Sequence, residues 1–226
     1  RGSRLSQAHD SSVSDTASAV NSAPTAARGR FSLRHLGLLG IMVCAFVLRA
    51  KTAGTFQVLD EVQWMRRSEG FSTALLDLDP ASASVTSTPN PLGGDLRTMP
   101  GITTMWVGSV ARGLWSIAGA LGIIDDQNAF ATSATALRFA QTTLALSVSL
   151  LIGLVTWLVS RWIGWRAAAL VGLVLATEPF FVAHGAVIHT DELQTLLGTA
   201  GAVALALALG IPRRVDGKPR SMAVLA

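Results

Sequence analysis

The longest uncharged stretch of the chain most constrains what it can fold into. Phe139–Ser160 is a run of 22 consecutive residues without Asp, Glu, Lys or Arg. About 20 apolar residues in a helix cross the hydrocarbon core of a bilayer, so this run predicts a transmembrane helix. The whole composition agrees, because 50% of the 226 residues are hydrophobic and only 14% are charged, against about 25% in a soluble domain.

Three further apolar stretches predict additional membrane helices. They are Leu33–Leu48, Ala167–Ala183, in which Glu178 is the one charged residue, and the uncharged Leu193–Pro212. About thirty polar residues precede the first stretch and no A-x-A cleavage site follows it at a suitable distance, which favours an uncleaved helix over a signal peptide. We therefore expect an all-α, polytopic membrane protein with about four transmembrane helices.

A fifth apolar segment, Gly101–Ile124, contains Arg112 and two serines. If it crossed the bilayer, the cations after the second and the fourth stretches would lie outside. If it lies at the interface, all of those cations and the basic N-terminal tail fall on one side. The positive-inside rule therefore favours an interfacial or re-entrant helix near 101–123, two cytoplasmic termini, and one long external loop over about 51–137.

The two ends of the chain and its charge predict less specific features. Residues 1–30 are rich in Ser, Ala and Thr, which predicts a disordered cytoplasmic tail before a membrane region over 31–212. Residues 213–226 then form a second cytoplasmic tail. Cys44 is the only cysteine, which excludes a disulfide scaffold. The net charge is +4, but its basic residues are scattered at the ends of apolar stretches, so no nucleic-acid partner is expected.

This topology places the acidic residues of two motifs on the same external face. Asp60 and Glu61 follow the first predicted helix, and Asp191 and Glu192 follow the third. Carboxylates beside a bilayer are costly to desolvate and therefore often mark a functional site. The structural alternative is that they begin helices, since Asp is a good N-cap residue.

Other polar residues lie near the same predicted face. Pro100 is suited to the first turn of the interfacial helix. Arg138 begins the second membrane helix, where its guanidinium either binds a phosphate at headgroup height or extends to the interface. His184 and His189 are either interfacial or handle a ligand or a proton. For Glu178 the sequence leaves open whether the carboxyl is neutral or paired.

Four short motifs resemble those of the GT-C glycosyltransferases, most closely the protein O-mannosyltransferase and aminoarabinose transferase group. They are Val58-Leu59-Asp60-Glu61, Met99-Pro100-Gly101, Leu137-Arg138-Phe139-Ala140 and Ile188-His189-Thr190-Asp191. The likeness covers roughly residues 33–211. It departs from the family at the second motif, where members commonly carry His before the proline.

The resemblance implies a membrane enzyme that moves a sugar from a polyprenyl-phosphate carrier to an acceptor hydroxyl of a protein, lipid or glycan, outside the plasma membrane. It implies Asp60 as the catalytic base, with Glu61 as its positioning partner in the catalytic site. Arg138 would contact the carrier phosphate, and Pro100 and His189 are further candidates for substrate binding. Asp191 would bind substrate or a divalent metal ion, and the metal stays open because only some members bind one.

Family members have eleven or more membrane helices and a C-terminal domain, so we expect this chain to be an N-terminal portion of such an enzyme. The rival class is a non-catalytic membrane protein, either a transporter fragment or a structural subunit. A transporter requires paired repeats or broken helices with inward-facing polar groups, whereas this sequence shows no internal repeat.

Overall fold

A computed structural model describes residues 33–79, 101–125 and 129–211, and the backbone of 214–215 and 218–219. Within these ranges seven α-helices and one short 3-10 helix, Phe130–Thr132, form nearly all of the regular structure. The helices are α1 Leu33–Ala50, α2 Leu59–Leu76, α3 Ile102–Ala120, α4 Ala134–Ile163, α5 Trp165–Thr177, α6 Pro179–His184 and α7 Asp191–Ala208. The predicted all-α class is thereby confirmed for the described ranges, apart from an antiparallel pair of two-residue strands, Arg214–Val215 and Lys218–Pro219.

Two helices, α1 and α4, are long and apolar enough to cross a membrane, with mean hydropathies of 1.6 and 2.0. The share of buried residues is 17% in α1 and 61% in an apolar 18-residue window of α4. This difference makes α4 the central helix of the bundle and leaves α1 on its periphery.

The third apolar stretch is not one continuous helix. Helix α5 ends at Thr177 and α6 begins at Pro179. Proline is suited to a first turn because it has no N–H to satisfy. The Glu178 carboxylate accepts a hydrogen bond from the N–H of Phe181 at 2.8 Å, so it caps α6. The sequence left the state of Glu178 open, and the structure assigns it this capping role.

The main core lies around α4, which packs against α1, α3, α5 and α7. Its buried side chains recur every three or four residues, which places them on one face of the helix. They are Leu144, Val148, Ile152, Val155 and Val159. Ile41 from α1 and Leu196 from α7 complete this cluster from two sides.

The outward faces of α1 and α4 carry large exposed apolar side chains. The stripes are Leu36, Leu39, Val43 and Val47 on α1, and Leu146, Leu150, Leu154 and Trp157 on α4. Exposed apolar stripes of this extent are typical of surfaces that contact lipid or other protein.

Helices α2 and α3 pack side by side and run in the same direction, and α3 also packs against α4. Gly108 allows close approach, because a side chain there would overlap Ser68. Arg112 donates hydrogen bonds to the hydroxyls of Ser72 and Thr73. The predicted interfacial segment is thus a helix, and its parallel packing on α2 brings the beginning of α3 close to the beginnings of α2 and α7.

Candidate functional site

A cleft of about 320 Å³ lies where α2 and α7 begin and where α6 ends. It brings together the two acidic motifs, which are far apart in the sequence, and both histidines singled out above. Its lining residues are Val58, Asp60, Glu61, His184, Val187, Ile188, His189 and Asp191. Five of the eight are titratable, which makes this cleft the candidate site.

In each Asp-Glu pair the Asp is exposed and the Glu is buried, and the buried Glu61 still forms part of the cleft wall. Asp60 is exposed and the side chain of Asp191 is 61% exposed, whereas Glu61 and Glu192 are 1% and 4% exposed. Consecutive side chains on a helix point about 100° apart, so the first can face solvent while the second is buried. The aspartates are therefore available to a ligand, and the glutamates serve the fold around them.

Glu61 accepts three hydrogen bonds from neutral donors. Its Oε2 accepts from the N–H of Val58 at 2.8 Å, so Glu61 supplies the glutamate half of a capping box at the start of α2. Its Oε1 accepts from the Gln141 amide at 2.9 Å and from the N–H of Ile188 at 2.6 Å. Glu61 thus connects the start of α2 to α4 and to the turn before α7.

Gln141 is a residue of this network that the sequence analysis missed. It is 1% exposed, its carbonyl oxygen accepts from the N–H of Gly54 at 2.6 Å, and its amide donates to the Phe56 carbonyl at 3.2 Å. Gln141 therefore fixes the loop before α2 and supports Glu61. A buried amide inside an apolar run was the available signal, because such a group needs partners.

Glu192 is neutralised by a cation instead. Its Oε1 lies 2.7 Å from Nη2 of Arg49, whose side chain is fully buried. Arg49 also donates to the carbonyls of Leu175 at 3.2 Å and Ala176 at 3.3 Å, at the end of α5. In the sequence, Arg49 is only one of the basic residues at the ends of the apolar stretches, whereas the structure makes it the link among α1, α5 and α7.

His189 and Asp191 approach each other at the mouth of the cleft. His189 Nδ1 lies 3.2 Å from Asp191 Oδ2, and the Thr190 hydroxyl donates to Asp191 Oδ1 at 3.3 Å. His184 has its Nδ1 3.0 Å from the Phe180 carbonyl oxygen. The cleft therefore offers a carboxylate beside an imidazole, a pair suited to hydrogen bonding with a polyhydroxylated ligand.

The second motif reaches this region through Gly101. A side chain at Gly101 would overlap the ring of Trp64 and approach Thr190 Cγ2, so the start of α3 lies directly against the site. The Arg67 guanidinium lies 4.8 Å from the centre of the Trp64 ring; burial lowers the pKa of Arg67, and the nearby charge of Asp60 opposes that shift. Pro100 lies outside the described residues.

Arg138 does not line the cleft. It is exposed in the second turn of α4, and its Nε donates to the Ala53 carbonyl at 3.4 Å. Gly54 packs against its side chain with a positive φ of 77°. Arg138 thus lies beside the loop that leads to Asp60, one helical turn before Gln141.

Among the described residues, no group of three His, Cys, Asp or Glu side chains is arranged so that it could bind a metal ion. His189 and Asp191 form a pair without a third ligand there, so no catalytic step is assigned to a metal. In comparisons with known proteins, no family model, no curated protein and no solved structure matches the chain.

Proposed function

We propose that the chain belongs to a membrane glycosyltransferase that moves a sugar from a polyprenyl-phosphate carrier to an acceptor hydroxyl on the extracytoplasmic side of the plasma membrane. The observation that carries this proposal is the shared cleft of Asp60 and Asp191 at the helix ends. A base and a polar subsite within one cleft, beside apolar helices, suit a water-soluble acceptor and a lipid-linked donor.

The proposal includes four transmembrane spans, formed by α1, α4, the α5–α6 unit and α7, with both termini cytoplasmic. Helix α3 lies at the interface, with its exposed apolar side toward the lipid. That side consists of Ile102, Trp106, Val110, Leu114 and Ile117. The shared cleft supports this arrangement, because a membrane-spanning α3 would put Asp60 and Asp191 on opposite faces.

In the proposed reaction, the carboxylate of Asp60 accepts the proton of the acceptor hydroxyl. The hydroxyl oxygen forms a bond to the anomeric carbon of the sugar, and the bond from that carbon to the phosphate oxygen breaks. Polyprenyl phosphate leaves as an anion. His189 and Asp191 hydrogen-bond the sugar, and Arg138, exposed beside the Asp60 loop, binds the phosphate at headgroup height.

A transporter is the second candidate, and the break between α5 and α6 favours it. Interrupted membrane helices with a polar group at the break are typical of transporter substrate sites. Here, however, the carboxylate of Glu178 already accepts a hydrogen bond from the N–H of Phe181. The titratable side chains also gather at the helix ends rather than at this break.

The test measures transfer of labelled sugar from a polyprenyl-phosphate donor by the chain reconstituted in lipid vesicles. Asp60→Asn should lower turnover by at least about 100-fold, as expected for loss of a general base. Asp77→Asn, an exposed aspartate at the other end of α2, is the matched control and should leave turnover unchanged. Equal rates for the two variants would remove Asp60 from the mechanism, and sugar flux without covalent transfer would favour the transporter.

A further inference from the structure

The turn of residues 185–190 contributes three of the cleft's lining residues, Val187, Ile188 and His189, and connects α6 to α7. It is held at two points by the two buried glutamates. Glu61 accepts the N–H of Ile188 at 2.6 Å, and the pair formed by Glu192 and Arg49 lies directly against Gly185. Each Asp-Glu motif therefore fixes one part of this turn.

Gly185 is the point of closest approach. A Cβ there would overlap Oε2 of Glu192 and Nε of Arg49 and would lie 2.9 Å from Cδ of Arg49. Within the described ranges, neither Oε2 nor this Nε has a hydrogen-bond partner. Both atoms are covered by the glycine backbone instead of by a polar group.

The backbone conformation of Gly185 does not by itself require glycine. Its φ of −80° and ψ of −2° are open to any residue. The requirement is for space, because the surrounding atoms belong to a buried ion pair that links three helices and has no room to withdraw.

We propose that Gly185 is a positioning residue for the cleft. Because Gly185 has no side chain, the Arg49–Glu192 pair packs directly against the 185–190 turn. This contact fixes the positions of His189 and Asp191. This role rests on the proposed function insofar as the cleft is the sugar-binding site. The positioning itself is measured separately from catalysis.

The experiment uses a thiol at Ala186, a buried position beside Gly185. In a Cys44→Ala background, Ala186→Cys reacts with a water-soluble maleimide only when the turn opens. Gly185→Ala should raise the labelling rate about tenfold, because overpacking favours the open turn. Gly198→Ala is the matched control, since a side chain at Gly198 meets nothing within 4 Å, and it should leave the rate unchanged.

A second variant identifies the cause and covers the case in which Gly185→Ala does not fold. Glu192→Asp shortens the side chain by one methylene and so makes room for a side chain at position 185. The double variant Gly185→Ala/Glu192→Asp should therefore react with the maleimide more slowly than Gly185→Ala, or fold where that variant does not. Glu192→Asp alone serves as its reference. Equal labelling of Gly185→Ala and Gly198→Ala overturns the proposal, as does a double variant with no recovery over Gly185→Ala.

Binding of a polyprenyl-phosphate sugar to the same proteins separates the two proposals. Positioning predicts that Gly185→Ala weakens binding about tenfold and that the shorter carboxylate restores it. If labelling responds but the parent protein binds no donor, the positioning of the turn stands and the glycosyltransferase proposal fails.

Discussion

The two Asp-Glu pairs have the same sequence and the same exposure pattern but differ in how the buried carboxylate is satisfied. Glu61 accepts from two backbone N–H groups and one amide, all of them neutral. Glu192 instead faces the guanidinium of Arg49, which is fully buried. The same dipeptide therefore serves as a hydrogen-bond hub at α2 and as half of an ion pair at α7.

The difference shows that burial of a carboxylate does not predict what its removal costs. Removing the charge of Glu61 leaves only neutral groups behind. Removing the charge of Glu192 leaves an uncompensated cation in the interior, and an unpaired buried charge costs far more than an unpaired neutral donor. The contrast is measurable as a difference in the free energy of unfolding between variants of Glu61 and variants of Glu192.

The largest effect is expected for Glu192→Gln. The free energy of unfolding should fall by about 3–5 kcal/mol, because Arg49 keeps its charge and loses the carboxylate. This free energy is measured by denaturing the protein in mild detergent while circular dichroism monitors the loss of helix. The double variant Arg49→Met/Glu192→Leu should recover most of this loss, and a loss below about 1 kcal/mol for Glu192→Gln would mean that the pair is solvated.

Glu61→Gln should have a smaller effect on the same measurement. The new amide places a donor opposite the N–H of Val58 or of Ile188, which leaves a buried donor unsatisfied at a cost of about 1–3 kcal/mol. Glu69→Gln, at a partly exposed position of the same helix, is the control and should change the free energy by less than about 0.5 kcal/mol. A greater loss for Glu61→Gln than for Glu192→Gln would reverse the comparison.

Much of this arrangement could be predicted from the sequence. The apolar runs locate α1, α4 and α7 to within a few residues. A helix pairs the backbone N–H and C=O groups of a long uncharged segment, and few other structures do. The positive-inside argument also predicts that Asp60 and Asp191 lie on one face, and the structure places both in one cleft. Whether that face is extracytoplasmic stays a prediction.

The partners of the buried glutamates could not be predicted. Arg49 is more than a hundred residues from Glu192, and nothing local in the chain pairs them. Gln141 was hidden within a run defined only by its lack of charge. The proline after Glu178 indicates an interruption of the third apolar stretch, but the sequence does not distinguish a break between two helices from a kink in one helix. Long-range packing decides such contacts, and one sequence does not encode them by spacing.

The smallest effect on stability is expected for the exposed members of the pairs. Asp60→Asn and Asp191→Asn should each change the free energy of unfolding by less than about 0.5 kcal/mol, because neither carboxylate is buried. The same denaturation experiment measures both. A loss above about 2 kcal/mol for either would show that the aspartate supports the fold rather than the cleft.

The central claim, that the two acidic motifs share one cleft, is tested most directly by cross-linking within one chain. Asp60→Cys and Asp191→Cys are combined with Cys44→Ala and treated in sealed vesicles with a short, membrane-impermeant bifunctional maleimide. The account predicts that the two positions are joined and that both react from the same side, whereas the pair Asp77→Cys and Asp191→Cys is not joined. Reaction of positions 60 and 191 from opposite sides, or no link between them, would contradict it.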